Sequence, residues 1–77
     1  MVQAYILVQT EVGMAQQVSE HVAKIDGVVR VDTVTGPYDV VVLTEASTIE
    51  ALGHAVVGRV QRVAGITRTL TCSILDL

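Results

Sequence analysis

Cysteine occurs once among the 77 residues, proline once, tyrosine twice, and tryptophan and phenylalanine not at all. With Cys72 alone, no disulfide can form within the chain, and an unpaired thiol suits a reducing compartment, so a cytoplasmic location is expected. His21 and His54 stand far apart, and no Cys/His spacing suits a metal ion. Positive charge is also scarce, with five Lys and Arg against eight Asp and Glu, a net charge of −3. Lys24, Arg30, Arg59, Arg62 and Arg68 gather around two expected helix exits and the strands after them, with no aromatic residue among them. Nucleic-acid binders neutralise phosphates with a basic stripe, so direct nucleic-acid binding is not expected. No apolar run is long enough to span a bilayer and no charged signal-peptide start is present, so no membrane association is expected.

Apolar residues, by contrast, are abundant, at 51 % of the chain. The length suffices for one domain, taken as residues 1–77. A domain of this size buries only about 60–65 % of the surface its unfolded chain exposes. Without a disulfide or a metal, self-association is the remaining support.

Val2 to Thr10 reads as a strand, with Ala4, Ile6 and Val8 on one face and Tyr5 and Leu7 on the other. Apolar on both faces, it suits the interior of a sheet. A helix follows from about Met14 to Lys24, carrying Ala15, Val18, Val22 and Ile25 at helical spacing, and Asp26-Gly27 stops it. Val28 to Thr35 is a half-buried second strand whose Arg30 and Asp32 mark it as an edge. Gly36-Pro37 predicts a two-residue type II′ turn into a third strand, Tyr38 to Thr44, again apolar on both faces. Ser47 or Thr48 caps a second helix running to about Arg62, and Ser47 with Glu50 matches a capping box. Ile49, Leu52, Val56 and Val60 form its expected buried stripe, with Gly53 allowing close packing. Thr67 to Leu75 is the last strand, with Leu70, Cys72 and Ile74 alternating with Thr69, Thr71 and Ser73. Cys72 is expected to be a small core residue.

The order is β-α-β-β-α-β, and an internal repeat supports it. Lys24 to Arg30 parallels Arg62 to Arg68 at a spacing of 38 positions. Right-handed crossovers then predict an α+β, ferredoxin-like antiparallel sheet of strand order 4-1-3-2, with both helices on one face. The opposite face retains Tyr5, Leu7, Val41 and Leu43. An uncovered apolar patch of this kind marks an interaction surface, and a two-fold dimer with sheets face to face is expected.

The stretch from Gly27 to Asp39, ending Gly36-Pro37-Tyr38-Asp39, resembles the Lrp/AsnC ligand-binding (RAM) domain, whose hairpin carries a G-x-Y-D signature. Gly65 to Thr71 resembles that domain's closing strand, with its G-V-x-x-T-x-T pattern. The likeness covers essentially the whole chain. It implies an αβ-sandwich homodimer that can assemble further, up to an octamer built as a tetramer of dimers. It also implies amino-acid effectors bound near the hairpin turn, and a role in transcription regulation. The chain starts at the first strand, where regulators of that family carry a helix-turn-helix domain. The resemblance is therefore to the stand-alone type, which implies an indirect role, either modulating full-length Lrp/AsnC regulators or acting as a separate sensor.

Gly36, Pro37, Tyr38 and Asp39 are the leading ligand-binding candidates. Asp39 can pair with an effector's ammonium while turn N–H groups receive its carboxylate, with Gly36 leaving the backbone open. The alternative is that Gly-Pro only makes the turn and Asp39 bonds local backbone amides. Val34 is added for apolar or backbone contact, and Thr69 and Thr71 for hydroxyls reaching a ligand from either protomer, although such threonines are commonly plain strand formers. Glu11, Glu20, Asp32, Glu45 and Glu50 show no paired-carboxylate arrangement, the histidines read as helix-surface residues, and Cys72 has no base nearby in sequence. Neither catalysis nor a cofactor is expected. Two competing readings share this topology: a dimeric αβ-barrel enzyme of the small monooxygenase or isomerase type, which needs a roomy polar pocket between sheet and helices, and an ACT-like regulatory domain, which pairs side by side.

Overall fold

A computed structural model describes residues 1–76. Four strands form one antiparallel sheet: β1 (Val2–Thr10), β2 (Val28–Thr33), β3 (Val40–Ala46) and β4 (Ile66–Ser73), in the order β2-β3-β1-β4. This is the expected 4-1-3-2 order read from the other edge. Helix α1 (Ala15–Val22) joins β1 to β2. The second helix, α2, joins β3 to β4 in three consecutive stretches: Ile49–Ala51, a π-helical Leu52–Val57, and Gly58–Gln61.

Both helices pack on the face presented by Ala4, Ile6 and Val8 of β1 and by Val40 and Val42 of β3. Val18, Val22 and Val60 complete the main core, and Leu52 and Val56 close a second cluster over Ala4. Thr44 is the one buried polar residue among those described, and its hydroxyl donates to the Ala4 carbonyl at 2.8 Å. That bond spares the core an unpaired hydroxyl, which costs on the order of 1–3 kcal/mol.

The internal repeat has a structural counterpart. Gly27 (φ 95°) and Gly65 (φ 97°) take the same left-handed conformation after their helices. The Gly27 carbonyl accepts from Glu45 N–H at 2.8 Å, and the Gly65 carbonyl accepts from Glu11 N–H at 2.8 Å. Each glycine abuts the other half's helix. A Cβ on Gly27 would lie 2.5 Å from Val56 Cγ2, and one on Gly65 would lie 3.0 Å from Met14 Cε.

Several local expectations are corrected. The β2–β3 hairpin is not a two-residue type II′ turn. Val34 N–H donates to the Asp39 carbonyl at 2.9 Å, which leaves Thr35, Gly36, Pro37 and Tyr38 as a four-residue loop. Gly36 has φ 152°, far from the value a type II′ turn needs. At the start of α2, Thr48 is the cap, its hydroxyl accepting from Ala51 N–H at 3.1 Å, so Ser47 and Glu50 form no capping box. Ile49 is 62 % exposed rather than part of the buried stripe, and nothing lies within 4 Å of a Cβ built on Gly53. The π-helical stretch accounts for the stripe. In an α-helix, residues eight apart have drifted about 80° around the axis. The wider turn keeps Leu52, Val56 and Val60 facing the core, while Ile49, which precedes it at the first residue of the helix, is exposed.

Cys72 is also not a core residue. The β1–β4 register pairs Tyr5 with Cys72 and Leu7 with Leu70, while Ile6 pairs with Thr71 and Val8 with Thr69. Thr69 and Thr71 thus share the helix-facing side, at an edge strand the helices leave largely uncovered, and Cys72 and Leu70 project from the opposite face.

Candidate functional site

Two regions carry the residues singled out in the sequence: the β2–β3 turn and the open face of the sheet. The turn is tied down by the end of β1. Asp39 N–H donates to the Val8 carbonyl at 2.9 Å. Asp39 Oδ2 accepts from Thr10 N–H at 2.8 Å and lies 3.4 Å from Thr10 Oγ1. Gln9 Nε2 donates to the Pro37 carbonyl at 3.2 Å. One oxygen of the Asp39 carboxylate is therefore used locally, as in the structural alternative for this residue. Thr35, Gly36 and Pro37 stay exposed and Tyr38 is half-buried beside them. The backbone at Gly36 is open, with no atom within 4 Å of a Cβ position.

Gln9 and Thr10 were absent from the sequence candidates. Their signal was the polar pair that follows the apolar run Ala4 to Val8, at the end where the turn returns. Thr69 and Thr71 are not gathered into the same site within one protomer. Thr69 is level with Val40 through Val8 but two strands away, about 10 Å, and Thr71 lies a further two residues along β4. Thr69 Oγ1 also accepts from Gln61 Nε2 at 3.2 Å. We expect Asp39→Ala to cost about 1.5 kcal/mol in urea denaturation, as loss of a charge-assisted bond to a backbone amide. An unchanged midpoint would show that the Thr10 contact holds nothing.

The open face consists of two cross-sheet rows. One runs Cys72, Tyr5, Leu43, Arg30, and the next Leu70, Leu7, Val41, Asp32. Polar pairs bound them at the two ends: Gln3 beside Glu45, whose side chains meet at 3.4 Å, and Gln9 beside Arg68. At the β2 edge Arg30 Nε donates to Asp32 Oδ2 at 2.9 Å. Tyr5 is 43 % and Leu70 45 % exposed. A shallow cavity of about 130 Å³ lies on this face, lined by Tyr5, Arg30, Asp32, Val41 and Leu43.

A model of the Lrp/AsnC ligand binding domain matches residues 3–76, nearly the full chain. The chain belongs to the Lrp/AsnC family. An uncharacterized HTH-type transcriptional regulator of Pyrococcus abyssi is 33 % identical over 76 residues, covering 95 % of this chain and 51 % of that protein. The chain thus spans about half the length of the curated Lrp/AsnC relatives it matches. Among solved structures, a Thermus thermophilus protein superimposes with a TM-score of 0.90 at 30 % identity, covering 100 % of this chain and 96 % of that one. The fold also recurs in a Neisseria meningitidis transcriptional regulator solved as a complex with L-methionine, with a TM-score of 0.82 at 21 % identity over 97 % of this chain and 50 % of that one.

Proposed function

We propose that this Lrp/AsnC domain is a non-catalytic effector-binding and oligomerisation module that acts on transcription indirectly, in the cytoplasm. The observation that carries the reading is the match to the family's ligand-binding domain across residues 3–76. The effector is an amino acid, as in the Neisseria regulator's L-methionine complex. Its place is the exposed turn: the Gly36 backbone and Pro37 receive it, Tyr38 and Val34 flank it, and the free oxygen of Asp39 meets its ammonium. Thr69 and Thr71 join it only from a neighbouring protomer, given their distance from the turn.

Two copies pair through the open sheet faces, and these dimers assemble further, up to an octamer. Full-length Lrp/AsnC regulators, which carry the same domain in about half their length, are the partners through which the module reaches DNA. The family match sets aside the ACT-like reading. Against an enzyme of the αβ-barrel type, the space between sheet and helices is filled by Ile6, Val8, Val18, Val22, Val40, Val42 and Val60.

The test is a thermal-shift screen of the chain against the twenty amino acids, followed by calorimetric titration of any hit against Tyr38→Ala. A ligand at 100 times its dissociation constant stabilises the folded state by about 2.7 kcal/mol, a readily seen rise in melting temperature. At least one amino acid is expected to give it, with binding weakened in Tyr38→Ala. A flat response to all twenty would overturn effector binding.

A further inference from the structure

The end of the domain opposite the β2–β3 turn differs from the rest in charge. Backbone contacts run along it from the entry of β2 to the exit of β4. The Gly27 carbonyl accepts from Glu45 N–H at 2.8 Å, Glu45 pairs with Gln3, and the Gln3 carbonyl accepts from Ile74 N–H at 3.0 Å. Asp26, Glu45 and Asp76 lie along this line, and Glu50 sits in the first turn of α2, just after β3. Lys24, just after α1, is the one cationic side chain at this end among the described residues. The chain's whole net charge of −3 therefore sits here. Elsewhere the side chains balance, Glu11, Glu20, Asp32 and Asp39 against four arginines.

The same end exposes apolar groups. Met1 is 81 % exposed, Leu75 72 % and Ile49 62 %. A cavity of about 380 Å³ opens between the start of β1 and the segment after β4. Its lining is Met1, Val2, Ile74 and Leu75, with Gln3 and Asp76 as the polar members. Apolar surface rimmed by polar groups marks an interaction site.

The charge selects the occupant. Partners that carry phosphate, whether nucleic acid or an anionic membrane, are repelled. The carboxylates extend from before β2 to beyond β4, three strand spacings or about 14 Å, wider than a small cation needs. What fits is a basic protein surface with apolar groups among its charges. A DNA-reading surface has that character, with Lys and Arg for phosphates and apolar contacts for base edges. The curated relative from Pyrococcus abyssi is a helix-turn-helix regulator by name, and this domain accounts for 51 % of its length. We propose that the acidic, apolar end of the module docks on the basic DNA-binding half of a full-length Lrp/AsnC regulator. The docked module covers the cations that would otherwise meet phosphate, and so lowers the regulator's hold on DNA. The turn stays free, because Val2 and Thr10 set the two ends of β1 about 26 Å apart.

This inference rests on the partnership with full-length regulators proposed above, and one titration separates the two. The Pyrococcus abyssi regulator serves as the probe, and its affinity for a fluorescent DNA duplex is read by anisotropy at low salt with and without excess module. Three forms of the module are compared: the parent, Leu7→Glu, which blocks pairing through the open sheet face, and a triple variant with Glu45→Gln, Glu50→Gln and Asp76→Asn. The parent and Leu7→Glu are each expected to weaken DNA binding about tenfold, and the triple variant to leave it unchanged. All three substituted positions are at the surface, so far-ultraviolet circular dichroism of the triple variant should match the parent. A triple variant as effective as the parent, or an effect lost in Leu7→Glu, would overturn the docking and leave the partnership intact. Co-sedimentation of module and regulator with no change in DNA binding would do the same. A module that neither co-sediments with the regulator nor alters its DNA binding would take down both.

Discussion

Gly27→Ala is expected to destabilise the fold by about 3 kcal/mol, the largest loss of stability among the single substitutions considered. Two effects act together. The residue holds φ 95°, where a side chain costs on the order of 1–3 kcal/mol. Its new methyl would also meet Val56 Cγ2 at 2.5 Å and the Glu45 carbonyl at 3.0 Å. Val56 is a buried valine, held by Leu52 and Ala4, and has little room to turn away. Overpacking of this kind costs about 1–3 kcal/mol more. The measurement is the urea midpoint at fixed protein concentration, since association itself contributes to apparent stability. Gly53→Ala is the control. It lies on helix α2 with open space around it, and alanine there should stabilise by about 0.5–1 kcal/mol. If Gly27→Ala left the midpoint within error of the parent, the reciprocal locking of the two halves would have no energetic content.

Leu7→Glu should turn the proposed dimer into a monomer. Leu7 lies in the middle of the open face, between Leu70 and Val41 in its row. Two-fold symmetry doubles the change, placing two carboxylates between the sheets with no cation in their row. Each unpaired charge taken out of water costs several kcal/mol. A rise of at least a thousandfold in the dimer dissociation constant follows, equivalent to about 4 kcal/mol. The side chain points away from the helices, so far-ultraviolet circular dichroism should be unchanged while sedimentation shows half the mass. A variant that still sediments as a dimer would place the interface elsewhere.

Strand order was legible because β1 and β3 are apolar on both faces, and only inner strands gain from that. The repeat around Gly27 and Gly65 was legible because a left-handed glycine after a helix leaves a compositional mark. Other features left no such mark. Alternation on β4 separates Leu70 and Cys72 from Thr69 and Thr71, but does not say which set faces the helices. Pairing with Tyr5 and Leu7 decides it, and it places the apolar set outward. On α2 the buried positions Leu52, Val56 and Val60 are legible from their spacing, while Ile49, at the first residue of the helix beside the Thr48 cap, is exposed in spite of it. At the turn, Gly36-Pro37 suggested the shortest hairpin. The decisive contacts come from β1, where Gln9 and Thr10 hold Pro37 and Asp39, and those contacts are remote in sequence.

Strand β1 is the first element of the domain, yet one of its two neighbours is the last. Ala4 pairs with Ser73 and Leu7 with Leu70. At a synthesis rate of about 5–20 residues per second, this inner strand waits several seconds with one side unclaimed. Closing the layer is the final, longest-range event, of the kind that slows folding. While the domain is still being translated, adjacent nascent chains on one messenger can offer that free side a strand of the same sequence. Any foreign strand that reaches that side first competes with β4 for the same backbone groups.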